Sequence, residues 1–152
     1  MEPRAPIGVI TREDVAVIRA ALNRTESDTS VLLLDRIASG SLWQPESLPR
    51  GAERDFNRRN HEPVQIPDSI GIALQARLVD HDTLPEPGPW FSKDSRVWHS
   101  SISMPGYSND GRFAVIMTGY TCGSLCGSAG GIVLKRTHDG WRVLRHFGTM
   151  VF

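Results

Sequence analysis

The chain has 152 residues, 39% of them apolar and 22% charged, and its seventeen basic and seventeen acidic side chains cancel. That length fits one domain and can bury a core without a metal or disulfide. The charge balance excludes a strongly basic nucleic-acid module, and no apolar run approaches the ~20 residues of a membrane-spanning helix.

Fourteen glycines and ten prolines point to a turn-rich chain rather than a helical bundle. Residues 1–10 read as a flexible N-terminal arm of a single domain spanning 1–152. The start, Met1-Glu2-Pro3-Arg4-Ala5, lacks the basic and then apolar regions of a secretory signal. The expected location is therefore cytoplasmic, or periplasmic or extracellular if Met1 replaces a removed signal peptide.

The first helix is predicted over 12–24. Thr11 can cap it, Asp14 holds the reciprocal capping-box position, and Ile10 and Val15 hold the staple positions. Val15, Ile18, Ala21 and Leu22 then share one face, and the polar run 23–30 ends the element. The apolar run Val31-Leu32-Leu33-Leu34 has the length of a buried strand. A short surface helix is predicted over 51–60, anchored by Phe56 and closed before Pro63. Ile70, Ile72 and Leu74 alternate, which predicts an extended segment over 70–79. Residues 80–95 carry Pro85, Pro87 and Pro89 and read as a surface loop, with Trp90 and Phe91 tucking it back.

The C-terminal third reads as an antiparallel meander. Residues 97–104 alternate, Asn109-Asp110-Gly111 is strong turn chemistry, and 113–120 form a strand apolar on both faces. Strands over 131–137 and 141–147 flank the turn His138-Asp139-Gly140. Early helices and late sheet give an α+β domain, its two helices packed on the meander. Trp98 and Trp141 are expected in the core. Of the basic residues fifteen are arginines and two are lysines, Lys93 and Lys135. The last 41 residues hold five of these cations against one acid, Asp139, which makes the C-terminal sheet mildly positive.

Residues 119–131 hold both cysteines and five glycines. Cys122 and Cys126 flank Gly123-Ser124-Leu125, which can form a three-residue hairpin tip. Residues facing each other across such a tip stand roughly 4.5–5.5 Å apart at Cα, within the range of a disulfide. Three rival readings stay open: a metal site recruiting His81, His99, His138 or His146, a catalytic thiolate beside exposed amides, and two free cysteines in a tight turn. Tyr120, Gly123, Ser124, Leu125 and Gly127 are the candidate binding-loop residues.

A wider pattern surrounds this hairpin. It comprises Asp55-Phe56 with Asn60, then Ser101 to Tyr107, Ala114-Val115, Tyr120-Thr121-Cys122-Gly123-Ser124-Leu125-Cys126-Gly127, Leu134-Lys135, Gly140-Trp141 and Val143. In that order, over about residues 31–147, the chain resembles a family of small, mostly uncharacterised bacterial proteins, many exported or lipid-anchored. This chain departs from the pattern at its end, Thr149-Met150-Val151-Phe152. The resemblance implies a fold and an export habit, and carries no activity with it.

Asp55, Asn60 and His99 form a second candidate set, a polar cluster. Against it, Asp55 and Arg59 have the spacing of an ordinary surface ion pair, and Asn60 or His61 can simply cap a helix end. His99 and Ser101 share a strand face with no acid placed to orient the histidine. No nucleotide, dinucleotide or zinc-protease motif is present, so no cofactor is expected. The leading expectation is a non-enzymatic binding or envelope-associated domain presenting the 119–131 hairpin to a protein or small-molecule partner, with no nucleic acid involved. The alternatives are a small enzyme with an apolar pocket between helix and sheet, and an inhibitor or immunity-type partner protein.

Overall fold

A computed structural model describes residues 5–24, 32–43, 47–80, 99–123 and 126–151, with the side chains of 121–126 left out of the description. In chain order the elements are α1 (Arg12–Ala21), β1 (Leu32–Asp35), β2 (Ile37–Ala38), α2 (Ala52–Arg59), β3 (Val64–Gln65), α3 (Asp68–Ala73) and β4 (Ala76–Val79). They continue with β5 (His99–Ile102), β6 (Gly106–Tyr107), β7 (Phe113–Gly123), β8 (Cys126–Thr137) and β9 (Gly140–Val151). The α+β class holds, with helices early and most of the sheet late.

The sheet is larger and more mixed than a meander. Its order is β4-β1-β5-β7-β8-β9, with β6 added beside β7, while β2 and β3 pair separately. β5, β7, β8 and β9 run antiparallel as expected, but β1 lies parallel to both β4 and β5. The apolar run leading to Leu34 suits this interior position: Leu32 and Leu33 are half-buried between the two neighbours. Leu34 is fully buried.

The expected strand over 70–79 is corrected to a helix followed by a shorter strand. α3 follows Pro67, whose fixed φ suits a helix start. Ile70 and Leu74 are therefore one helical turn apart rather than on alternate strand positions. Leu74 is buried, whereas Ile72 is 78% exposed. Gln75, at φ +54°, turns the chain into β4. The expected loop 80–95, with Trp90 and Phe91, and the core placement of Trp98 fall outside the described residues except at Asp80.

α1 has the predicted capping box: the Asp14 amide donates to Thr11 Oγ1, and the Thr11 amide donates to Asp14 Oδ2. The helix ends at Ala21, and its fully buried apolar residues are Val17 and Ile18 rather than the predicted face alone. Val17 and Ile18 join Leu34, Ile102, Ala114, Ile116, Ile132 and Leu134 in one core. The intervening residues Val115, Met117 and Val133 meet Ala52, Phe56 and Phe147, together with Leu42, Trp43 and Leu48, in another. β7 and β8 are thus sandwiched, as a strand apolar on both faces requires. Each large apolar side chain removed from water in this way contributes about 1.5–3 kcal/mol.

Two glycines permit the closest approaches. A Cβ on Gly106 would come within 2.4–2.6 Å of Phe56 backbone and Cβ atoms, so α2 seats directly on β6. Gly131 faces Phe147 across the β8–β9 ladder, and a Cβ there would enter the Phe147 ring. β9 also carries register shifts, one placing Leu144 as an extra residue between the pairs Val133–Arg145 and Leu134–Val143. Trp141 is half-buried, with its ring centroid 5.9 Å from that of Tyr107 and the Arg136 guanidinium 5.2 Å from it on packing distance.

Candidate functional site

The strongest concentration of chemistry is a buried ionic network. Arg59 and Asp14 are both fully buried and form a two-pronged pair, Nη1 to Oδ1 and Nη2 to Oδ2, each 2.7 Å. Nη1 also donates to Pro105 O, Nη2 to Val9 O and Nε to Pro6 O. The Tyr107 hydroxyl donates to Asp14 Oδ1 at 2.6 Å. Asp14 Oδ2 still accepts the Thr11 amide. The five N–H donors of the guanidinium and the carboxylate are therefore matched within the fold, as a buried charge demands.

The environment tunes these groups. Burial works against the Arg59 charge, but hydrogen bonding and the charge of Asp14 outweigh it and hold its pKa above the ordinary value. Burial, then the charge and hydrogen bond of Asp14, push the Tyr107 phenol well above its usual range. Tyr107 is a fixed donor here, not an acid near neutrality. With each partner internal, the network is a lock joining the N-terminal arm, α1, α2 and β6.

Arg59 corrects the expectation of an Asp55–Arg59 surface pair. Asp55 instead pairs with Arg58, its Oδ1 2.6 Å from Nη2, and its Oδ2 accepts the Tyr107 amide at 2.8 Å. Arg58 also donates to Ala5 O. Residues 5–9, read in sequence as part of a flexible arm, thus have three carbonyls held by Arg58 and Arg59. The buried stripe of α2, Ala52, Phe56 and Arg59, carries the signal that sequence reasoning missed: the arginine occupies the third inward position at helical spacing.

Asn60 is a structural clasp. Its Oδ1 accepts the Met104 amide at 2.8 Å, and its Nδ2 donates to Met104 O and Phe56 O, each at 2.9 Å. Asp55 and Asn60 are therefore brought together on the 104–107 segment. His99 stands apart from them, buried on β5 opposite Thr121. The turn at 108–112 is closed by Asp110, whose Oδ1 accepts from Ser108 Oγ and the Arg112 amide; those bonds hold its carboxyl below the usual range.

The other candidate is the end of the sheet formed by the far halves of β7, β8 and β9. Two rows cross four strands there: Ser100–Tyr120–Ser128–Val151 and Ser101–Gly119–Ala129–Met150. Paired residues share a face, so Tyr120 and Val151 flank the small Ser128. Tyr120 is 44% exposed, Met150 39% and Val151 78%. Small residues at 119 and 127–131 carry the ladder outward from the packed cores.

The hairpin closes more tightly than predicted. Thr121 pairs with Gly127 and Gly123 with Cys126, so Cys122 is an extra residue in a bulge. Only positions 124 and 125 remain between the paired strands, in place of the expected three-residue tip. Ser124 and Leu125 lie outside the described residues, as do the side chains of Cys122 and Cys126, and with them the expected disulfide. Among the described residues no cluster of three metal-ligating side chains occurs, and no helix is long and apolar enough to cross a membrane.

No protein-family model, curated protein or solved structure matches this chain. The geometry itself offers a saturated ionic lock in the interior and, at one end of the sheet, exposed Tyr120 and Val151 on one face with Ser128 between them.

Proposed function

We propose that the chain is a small, non-enzymatic binding module whose recognition end is the 119–131 hairpin with the adjoining end of β9. The observation that carries this reading is the row Tyr120–Ser128–Val151, which sets Tyr120 and Val151 on one face of the sheet end, Met150 lying on the other face. It places exposed apolar side chains on a sheet whose other half is packed on both faces. Aromatic residues on a rigid scaffold make contact area at small entropic expense, which suits a protein partner. A Cys122–Cys126 bond in the bulge would stiffen the loop further, and the bacterial resemblance supports an envelope setting.

The buried charges fit this reading. Asp14, Arg59 and Tyr107 hold one another and the backbone, so their chemistry is spent on shape. The space between α1 and the sheet is occupied by Val17, Ile18, Ile116 and Leu134, which speaks against a substrate pocket between helix and sheet.

The test is site-specific photocrosslinking in the producing bacterium, with a benzophenone amino acid at Tyr120, at Val151 and, as control, at His138 in the turn before β9. The expected result is one discrete protein adduct from 120 and 151 and none from 138. Adducts independent of position, or none from 120 and 151, overturn the proposal.

A further inference from the structure

β9 is a twelve-residue strand, and it is the outer strand of the sheet on its side among the described strands. Its half nearest the Gly140 turn lies at the opposite end of the strand from Met150 and Val151. An outer strand presents a row of backbone donors and acceptors that template another strand unless charge, bulges or cover prevent it. Here the charges are of one sign. Residues 140–151 include Arg142, Arg145 and His146 and no acid.

The neighbouring strand strengthens that sign. Lys135 stands directly across from Arg142 in the β8–β9 register, and like charges in direct opposition destabilise a sheet. Both are exposed, and among the described residues neither takes part in an ion pair. The contrast with the next position is sharp. Arg136, on the other face of β8, lies against the Trp141 ring and pairs with Glu13. On the Lys135 face the next β9 residue pointing the same way is Arg145, across from Val133; it is engaged within the fold, its Nη2 donating to Ser47 O at 2.9 Å and its guanidinium 6.0 Å from the Phe147 ring. The bulge residue Leu144, 53% exposed, adds an apolar contact at the same edge.

We infer that the Gly140–Arg145 edge of β9 accepts an extended acidic segment of a partner protein as an added strand, with a carboxylate set against Arg142 and the charge of Lys135 acting from one strand further in. Strand addition draws affinity from main-chain hydrogen bonds and selectivity from alternate side chains. Carboxylates at every second position would relieve the Lys135–Arg142 opposition, whereas a second copy of β9 would bring further arginines to the same edge. A partner of opposite charge is therefore favoured over self-association. The surface is separate from the hairpin end and does not rest on the function proposed there.

The experiment uses the full chain and a fluorescein-labelled decapeptide of alternating glutamate and threonine. Binding is followed by anisotropy, and amide hydrogen exchange is read along residues 140–146. The expected result is saturable binding that weakens with added salt and at least tenfold in Lys135→Glu/Arg142→Glu, and also weakens in Lys135→Ala, with slowed exchange at 140–146. Tyr120→Ala should bind as the parent does; equal loss there would assign the peptide to the hairpin end and overturn the inference. Absence of binding overturns it, as does equal binding of the same peptide with a central proline, or of a short DNA duplex without slowed exchange. Either of those last results would mark the edge as a general polyanion patch.

Discussion

Asp14→Asn tests the claim that the interior ionic lock organises this fold. The substitution keeps the size of the side chain and removes its charge. It also puts an N–H where the structure has only donors facing Asp14: two guanidinium nitrogens, the Thr11 amide and the Tyr107 hydroxyl. The hydroxyl can rotate to accept, but the Arg59 charge is left without its counterion at a fully buried site. Breaking such a pair from one side costs about 3–5 kcal/mol, a large share of the ~5–15 kcal/mol that holds a domain together. With a urea slope of about 2 kcal/mol per molar, the tryptophan-fluorescence midpoint should fall by roughly 1.5–2.5 M. The double variant Asp14→Leu/Arg59→Met should not recover parental stability. The carbonyls of Pro6, Val9 and Pro105 lose their donor, at about 1–3 kcal/mol for each one water does not reach. A midpoint for Asp14→Asn within about 0.3 M of the parent would show that the pair behaves as a surface ion pair and would refute the reasoning.

Other substitutions read the same structure at different points. Tyr107→Phe removes a hydrogen bond to a buried charge and should destabilise by about 1.5–3 kcal/mol. Because the Tyr107 pKa is raised on folding, its contribution is full below the unfolded value of about 10 and is lost as pH rises above it; urea midpoints taken from pH 8 to 11 should show that alkaline loss in the parent and less of it in Tyr107→Phe. Gly106→Ala forces α2 off β6 by the contacts described above and should cost about 1–3 kcal/mol or more, measured as the drop in thermal midpoint; an unchanged midpoint would mean α2 does not seat there. Protein made in an oxidising compartment should lose about 2 Da of intact mass to a Cys122–Cys126 bond, and the reduced protein should be labelled slowly by iodoacetamide at pH 6. Two alkylatable thiols in the oxidised sample would remove the disulfide, and fast labelling would restore the catalytic-thiol reading.

The parts legible in the sequence were those specified by neighbours in the chain. The Thr11–Asp14 capping box, the turn at Asn109-Asp110-Gly111 and the two-faced apolar strand after Phe113 each depend on a few adjacent residues, and each is present. The errors arose where a distant partner decides the outcome. Ile70, Ile72 and Leu74 alternate as a strand would, yet Pro67 and the packing of Gly71 against Leu78 make the segment a helix. Asp55 and Arg59 have ideal local spacing, but Asp14, forty-five residues before Arg59, captures the guanidinium. The parallel pairing of β1 was likewise hidden, because register between segments so far apart leaves no local mark. At the hairpin end of the sheet the sequence indicated the turn but not that β9 runs alongside β8 there and sets Val151 across from Ser128.

The bond from the Tyr107 hydroxyl to Asp14 spans ninety-three positions of chain, which has a consequence during synthesis. At about 5–20 residues per second, a ribosome emits Asp14 roughly 5–20 s before Tyr107. Arg59 emerges about midway, before the Pro105 carbonyl that it also serves. α1 can form its capping box from residues a single turn apart, but the Asp14 carboxylate that closes the box then still lacks the guanidinium and the hydroxyl that meet it in the folded chain. The set of partners around Asp14 can therefore be completed only in the second half of translation, once Tyr107 has been made.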